Sequence, residues 1–168
     1  MNRALPAVRL RVPTDEDAVA WHRVFAHPDV MEFHGGRAAG LSVYEELTAR
    51  QRRHDAERGF CLWSVLDEED RVLGFTGAQP WERDWGPTGE TEIGWRLGRE
   101  HWGKGYVTAA ARQTLERVRA AGVTNVVAMV DAGNSRSIAV TRRLGMRLAE
   151  TFTTPVSRRA GHCYRLAL

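Results

Sequence analysis

The sequence predicts one mixed α/β domain, a mostly antiparallel sheet of about seven strands with a central parallel βαβ pair and flanking helices. Three observations predict it. Residues 91–97 alternate, with Thr91, Ile93, Trp95 and Leu97 on one face and Glu92, Gly94 and Arg96 on the other. From Tyr106 the period becomes helical, with Val107, Ala111, Leu115 and Val118 recurring until Gly122, and the continuous apolar run Val126–Val130 follows. Strand, helix and buried strand in that order form a parallel pair joined by a right-handed crossover. Residues 61–66 and 72–78 flank the polar turn Asp67-Glu68-Glu69-Asp70, which makes an antiparallel hairpin. The third observation is size: 168 residues, 43% hydrophobic and 27% charged, fill a single domain over 1–168 and would leave two domains cramped.

The remaining elements follow in chain order. Val8–Val12 alternates apolar and basic residues as a short strand and is stopped by Pro13. Thr14-Asp15-Glu16-Asp17 caps a helix to about Ala26, its oxygens and acidic first turn suiting the exposed amides. His27-Pro28 breaks that helix, and residues 31–40 read as a glycine-rich connection. Ser42 and Glu45 have the spacing of a capping box for a helix to about Glu57. Residues 79–89 hold Trp81 and Trp85 without a regular period, as a lid over a site or a packed surface loop. Asn134 or Ser135 caps a further helix ended by Gly145, and residues 147–154 and 162–168 are the last two strands.

Composition excludes several functions. No apolar run approaches the roughly 20 residues of a membrane helix, and residues 1–12 lack a signal-peptide core, so a cytoplasmic protein with no membrane partner is expected. The arginines of residues 50–58 are interleaved with Glu45, Glu46, Asp55 and Glu57, a self-paired solvated face rather than a nucleic-acid surface. Cys61 and Cys163 sit in strand-like surroundings as small buried hydrophobes. Six scattered histidines show no metal-binding spacing, so no metal is expected. The chain is compatible with a monomer or a homodimer.

Between the strand at 91–97 and the following helix lies Gly103-Lys104-Gly105. Residues without side chains let backbone N–H groups converge, and the helix aims its unpaired amides and positive dipole end at the same point, forming an anion cradle suited to phosphate. Lys104 is the single lysine among 24 basic residues. A dinucleotide site competes, with Asp131 where a ribose-binding acid would stand, but no G-x-G-x-x-G occurs and too little chain follows for the second half of that fold. A Walker loop fails because no Gly-Lys-Ser/Thr is present.

The stretch Trp102-Gly103-Lys104-Gly105-Tyr106, together with Asn134 to Ser137 and Leu144-Gly145-Met146, resembles the GNAT superfamily of N-acetyltransferases, and within it the RimJ/RimL branch. The general fingerprint Gln/Arg-x-x-Gly-x-Gly/Ala is matched in part, since Trp102 and Val107 replace its first and last residues. The resemblance implies a GNAT fold and acetyl-CoA as cosubstrate. Its pyrophosphate would lie on Trp102, Gly103, Lys104, Gly105, Tyr106 and Val107, with Thr108 adding a hydroxyl. The pantetheine arm would run between strands that splay apart near Leu97 and Val130, beside Trp95 and Leu97, and would bond Asn134, whose other reading is a helix N-cap. Arg136 and Arg143 would reach the ribose phosphate.

For catalysis the resemblance implies Glu92 as the carboxylate that accepts the amine's proton, against an alternative in which Glu92 pairs with Arg96 or another arginine. Ser137 matches a serine that serves the leaving thiolate in the RimL branch. An N–H near Leu97 would polarise the thioester carbonyl. The implied activity is acetyl transfer to a primary amine, of a small molecule or a protein N-terminus, by direct attack. The alternatives are a non-catalytic acyl-CoA-binding domain and an enzyme using a larger donor such as succinyl-CoA, whose carboxylate an arginine would pair.

Overall fold

The computed structural model describes residues 3–168. Seven strands form one sheet: β1 (Arg9–Arg11), β2 (Leu62–Leu66), β3 (Val72–Pro80), β4 (Thr91–Leu97), β5 (Asn125–Asp131), β6 (Arg147–Thr153) and β7 (Ala160–Ala167). Their order is β1-β2-β3-β4-β5-β7-β6, and every pairing is antiparallel except β4 with β5. Five helices accompany them: α1 (Asp15–Val24), α2 (Pro28–Met31), α3 (Leu41–Arg58), α4 (Tyr106–Ala120) and α5 (Ser135–Arg143). The expected fold class holds, with β7 inserted between β5 and β6 rather than following in chain order.

Two cores lie on opposite faces of the sheet. On one, Ile93 and Leu97 of β4 pack with Ala110 and Val118 of α4. On the other, Phe75 of β3 packs with Trp21 and Phe25 at α1 and Tyr44 of α3. Polar groups tie that second layer down. Asp17, 1% exposed, accepts from Ser64 Oγ at 2.8 Å and Arg11 Nη2 at 2.6 Å, and closes a capping box with Thr14. Gln51, wholly buried, accepts from Leu62 N at 2.8 Å and donates to Gln79 Oε1 at 3.1 Å. One amide side chain thus joins α3 to β2 and β3 with both of its polar atoms satisfied.

Several local expectations change. The Ser42–Glu45 capping box does not form, because α3 starts two residues earlier with Gly40 as its N-cap and no side-chain bond. Arginines of α3 pair outside the helix, Arg52 with Asp15 at 2.8 Å and Arg58 with Glu82 at 4.0 Å. The expected connection after His27 opens with α2, capped by the His27 ring, which accepts from Asp29 N at 3.1 Å. Trp81 and Trp85 form a packed loop: Trp81 is buried, its Nε1 donates to Trp85 O, and Trp85 leans on Phe152 at 5.5 Å.

At Gly77 the sheet requires the absence of a side chain. A Cβ there would stand 1.9 Å from Cys61 O and 2.7 Å from Leu62 Cα. Because both obstacles are backbone, they cannot rotate away, and β2 and β3 would have to part. Gly77→Ala is expected to destabilise the fold by about 2 kcal/mol or more, of the order of other overpacking substitutions. In a thermal melt that is a fall of roughly 4 °C or more for a chain of this size.

Candidate functional site

β4 and β5 pair at a single register position, Glu92 with Val127. Beyond it β4 runs on to Leu97 and β5 to Asp131 with no further mutual pairing among the described residues, although β3 pairs with β4 throughout. The backbone groups on this edge of β4 therefore face an opening. The strand leads through the 3-10 turn Arg99–His101 into residues 102–105. Gly105 is the N-cap of α4 with φ +88, a left-handed conformation that glycine adopts freely, and no side chain caps the helix. The first amides of a 15-residue helix are thus left without side-chain partners beside the opening.

These parts border one cavity of about 1070 Å³. The β4 residues Trp95 and Leu97 line it, as do Trp102, Gly103 and Gly105 of the loop. Tyr106, Val107 and Thr108 add the first turn of α4, and Asn134 and Ser137 line it from α5. Lys104 is exposed and stands outside the lining. Asn134 acts as the N-cap of α5, its Oδ1 accepting from Ser137 N at 3.2 Å. Trp95 Nε1 donates to Ser137 Oγ at 3.1 Å, linking β4 to α5 on the α4 side of the sheet.

The mouth near the loop is basic. Trp102 is held by its Nε1 donating to Leu97 O at 2.9 Å, and guanidinium groups stand over its ring, Arg136 at 4.3 Å and Arg99 at 4.8 Å from the centroid. Arg136 and Arg143 both line the cavity. Asp131, the rival ribose acid, is instead paired with Arg159 at 2.6 Å and accepts from Gly133 N at 2.8 Å. The two thiols are buried, and desolvation raises the pKa of each, Cys163 to about 11, which removes them as nucleophiles.

Glu92 lies near the point where the two strands separate but is not part of the cavity lining. Desolvation pushes its pKa up to about 7, with Arg83 partly offsetting the rise. Its carboxylate has no hydrogen-bond or ion-pair partner among the described residues, so the alternative pairing with Arg96 does not occur. Arg96 turns instead between the rings of Phe25 and Phe75, each 5.3 Å from its guanidinium.

Sequence reasoning missed two parts of the site. Val30, Phe33 and His34 line the cavity from the α2 region, and the signal for them was Pro28 at the first helical position with Asp29 beside it. Leu5 and Pro6 also approach the loop, so that a Cβ on Gly105 would meet Pro6 Cδ at 3.1 Å and Leu5 Cδ2 at 3.3 Å. No local pattern in the N-terminal residues announces that long-range contact.

Comparison with known proteins shows the family. Residues 7–147 match the family model described as acetyltransferase (GNAT) domain. The chain is 32% identical over 151 residues to the uncharacterized protein YkkB of Bacillus subtilis, covering 86% of this chain and 84% of that one. It is 30% identical over 106 residues to an L-methionine sulfoximine/L-methionine sulfone acetyltransferase of Pseudomonas aeruginosa, 62% of each chain. Its fold matches that of Mycobacterium smegmatis RimJ in complex with CoA-disulfide, with a TM-score of 0.75, 17% identity, and coverage of 96% of this chain and 82% of that one. With a family match that spans the sheet from β1 to the end of α5, this chain belongs to the GNAT acetyltransferases.

Proposed function

We propose that the chain transfers an acetyl group from acetyl-CoA to a primary amine by direct attack, with Glu92 taking the amine's proton and Ser137 serving the departing thiolate. The observation that carries this reading is one opening bordered by both the uncapped start of α4 and the unpaired edge of β4. An extended donor with a diphosphate at one end and a thioester at the other suits that arrangement. The loop amides and the α4 dipole would hold the diphosphate, with Arg136 and Arg143 at the mouth adding positive charge. The free edge of β4 would hydrogen-bond the pantetheine arm and aim an N–H at the thioester oxygen. Bound there, acetyl-CoA supplies an acyl carbon that bonds to the amine nitrogen as its bond to sulfur breaks.

Proton traffic falls to the protein. A carboxylate with a pKa of about 7 is matched to accepting a proton near neutral pH, directly or through a water. Its importance scales with the acceptor. Deprotonating an α-amine of pKa ~7.8 at pH 7 costs about 1 kcal/mol, whereas a lysine-like amine costs roughly 4.6 kcal/mol. Because Ser137 Oγ accepts from Trp95, its hydroxyl hydrogen is free to point at a sulfur anion. Serine's high pKa makes it a hydrogen-bond donor to the thiolate rather than a source of a full proton.

Thiol release, pH dependence, thermal stability and loop substitutions test the reading. Thiol release on mixing acetyl-CoA with an amine panel supports it, and acetyl-CoA binding without release from any amine would identify a sequestering domain instead. In wild type, kcat for a lysine-like acceptor should fall as pH drops through about 7, since Glu92 takes up a proton there, and Glu92→Gln should lower kcat and remove that limb. The same variant checks the linkage. The folded pKa lies above the ordinary 4.5, so the ionised side chain opposes folding increasingly from pH 4.5 upward and fully above 7. Glu92→Gln should therefore raise Tm at pH 8.5 and leave it nearly unchanged at pH 4. At the loop, Gly105→Ala forces an L-residue into the left-handed region, at about 1–2 kcal/mol, and pushes on Leu5 and Pro6. A tenfold or larger rise in the KM for acetyl-CoA is expected, while Lys104→Ala should change it less than about threefold because backbone amides carry the site.

A further inference from the structure

Glu92, Gly94 and Arg96 share one face of β4, the face turned toward the aromatic layer of Trp21, Phe25, Tyr44 and Phe75 rather than toward α4. Arg96 is unusual within it. Its guanidinium is flanked by Phe25 and Phe75, its Nη1 lies 4.0 Å from Met31 Sδ, and its Nε is buried with no hydrogen-bond partner. The Tyr44 hydroxyl stands beside it but forms no hydrogen bond of normal geometry. No carboxylate among the described residues pairs with Arg96. A desolvated cation without a counterion is costly, and this one borders the cavity.

Arg96 borders the same cavity as the loop but from the strand face turned to the aromatic layer, whereas α4 packs on the opposite face against Ile93 and Leu97. On this face only Gly94 lies between Arg96 and Glu92, and a Cβ there would find no heavy atom within 4 Å except Glu92 Oε1 at 3.8 Å. An unpaired carboxylate and an unpaired guanidinium therefore flank an open floor on one strand, their Cα atoms roughly 13 Å apart at the usual rise of a strand.

We infer that the acceptor is an amine that carries its own carboxylate, an amino acid or a similar small zwitterion, whose carboxylate is held by Arg96 while its amine lies over Gly94 beside Glu92. This rests on the acyltransferase reading and adds the substrate class. The fixed order of charges along β4 orients the molecule, with its nucleophile toward the proton acceptor. A protein N-terminus does not satisfy Arg96 in this way, because its first residue has a peptide carbonyl in place of the carboxylate. Guanidinium and carboxylate match as a planar, two-bond fork, which a primary amide reproduces only in part.

The test compares amino acids with their carboxamides, glycine with glycinamide and leucine with leucinamide, in thiol release from acetyl-CoA by the full chain. A further series, glycine, β-alanine and γ-aminobutyrate, uses the spacing of amine and carboxylate as a ruler. The acid should exceed its amide in kcat/KM by about 10- to 100-fold, the range expected for a charge-assisted hydrogen bond. Arg96→Gln should collapse that ratio toward one. Arg96→Lys keeps a cation against the two rings if the glutamine variant folds poorly, and should reduce the ratio through loss of the fork. A wild-type amide turning over as fast as its acid overturns the assignment and leaves the acyltransferase reading standing, as does an acid preference that survives Arg96→Gln. An Arg96-dependent preference for succinyl-CoA over acetyl-CoA overturns it by moving the carboxylate to the donor. Thiol release from no acid, in a protein that calorimetry shows to bind acetyl-CoA, also overturns it. Failure to bind acetyl-CoA would overturn both readings together.

Discussion

The separation of β4 from β5 is the constraint on which the rest of the molecule depends. Two parallel strands in the middle of a sheet would ordinarily satisfy each other's backbone groups, yet these meet only where Glu92 stands beside Val127. Unpaired buried amides and carbonyls are expensive, so such an edge persists only where water or a ligand can reach it. The crossover between the strands places the 3-10 turn, the left-handed Gly105 and the start of α4 at the end of that same edge. Sheet defect and helix terminus are therefore neighbours, and an extended anionic molecule can engage both.

Much of this was legible because it is local. The change of period at Tyr106, the glycines before it and the apolar run after it specify a strand, a turn, a helix and a buried strand by short-range rules, and each is found close to its expected span. What escaped was set by distant partners. Nothing around residue 160 announces that β7 enters between β5 and β6. The Ser42–Glu45 pattern satisfied the spacing of a cap, but Gly40 took that position and the helix began earlier. In the sequence Arg96 stood on one strand face with Glu92 and Gly94, as an alternative partner for Glu92. Its true surroundings come from Phe25 and Phe75, which are distant in sequence.

β4 has two chemically different faces, and the division explains the distribution of charge. Toward α4 and α5 it offers Trp95, whose indole reaches Ser137, with Trp102 and its stacked guanidinium groups close by. Toward the aromatic layer it offers Glu92 and Arg96 with bare Gly94 between them. In the proposed reading, donor and acceptor would be handled by alternate residues of one strand, with the reacting atoms meeting near its free edge. Holding both on a rigid element fixes their relative position better than paired loops would.

The inserted β7 has a consequence for the order of assembly. β5 pairs with β4 at one position and with β7 at seven, from Asn125 with Ala167 to Asp131 with Gly161. One wall of the opening therefore gains most of its ladder from a segment synthesised after α5 and β6. As the chain leaves the ribosome, β5 must wait with one edge bare, and closing a loop across the intervening residues delays the sheet's completion. A nascent chain interrupted before β7 would expose an apolar strand edge of the kind that recruits other chains.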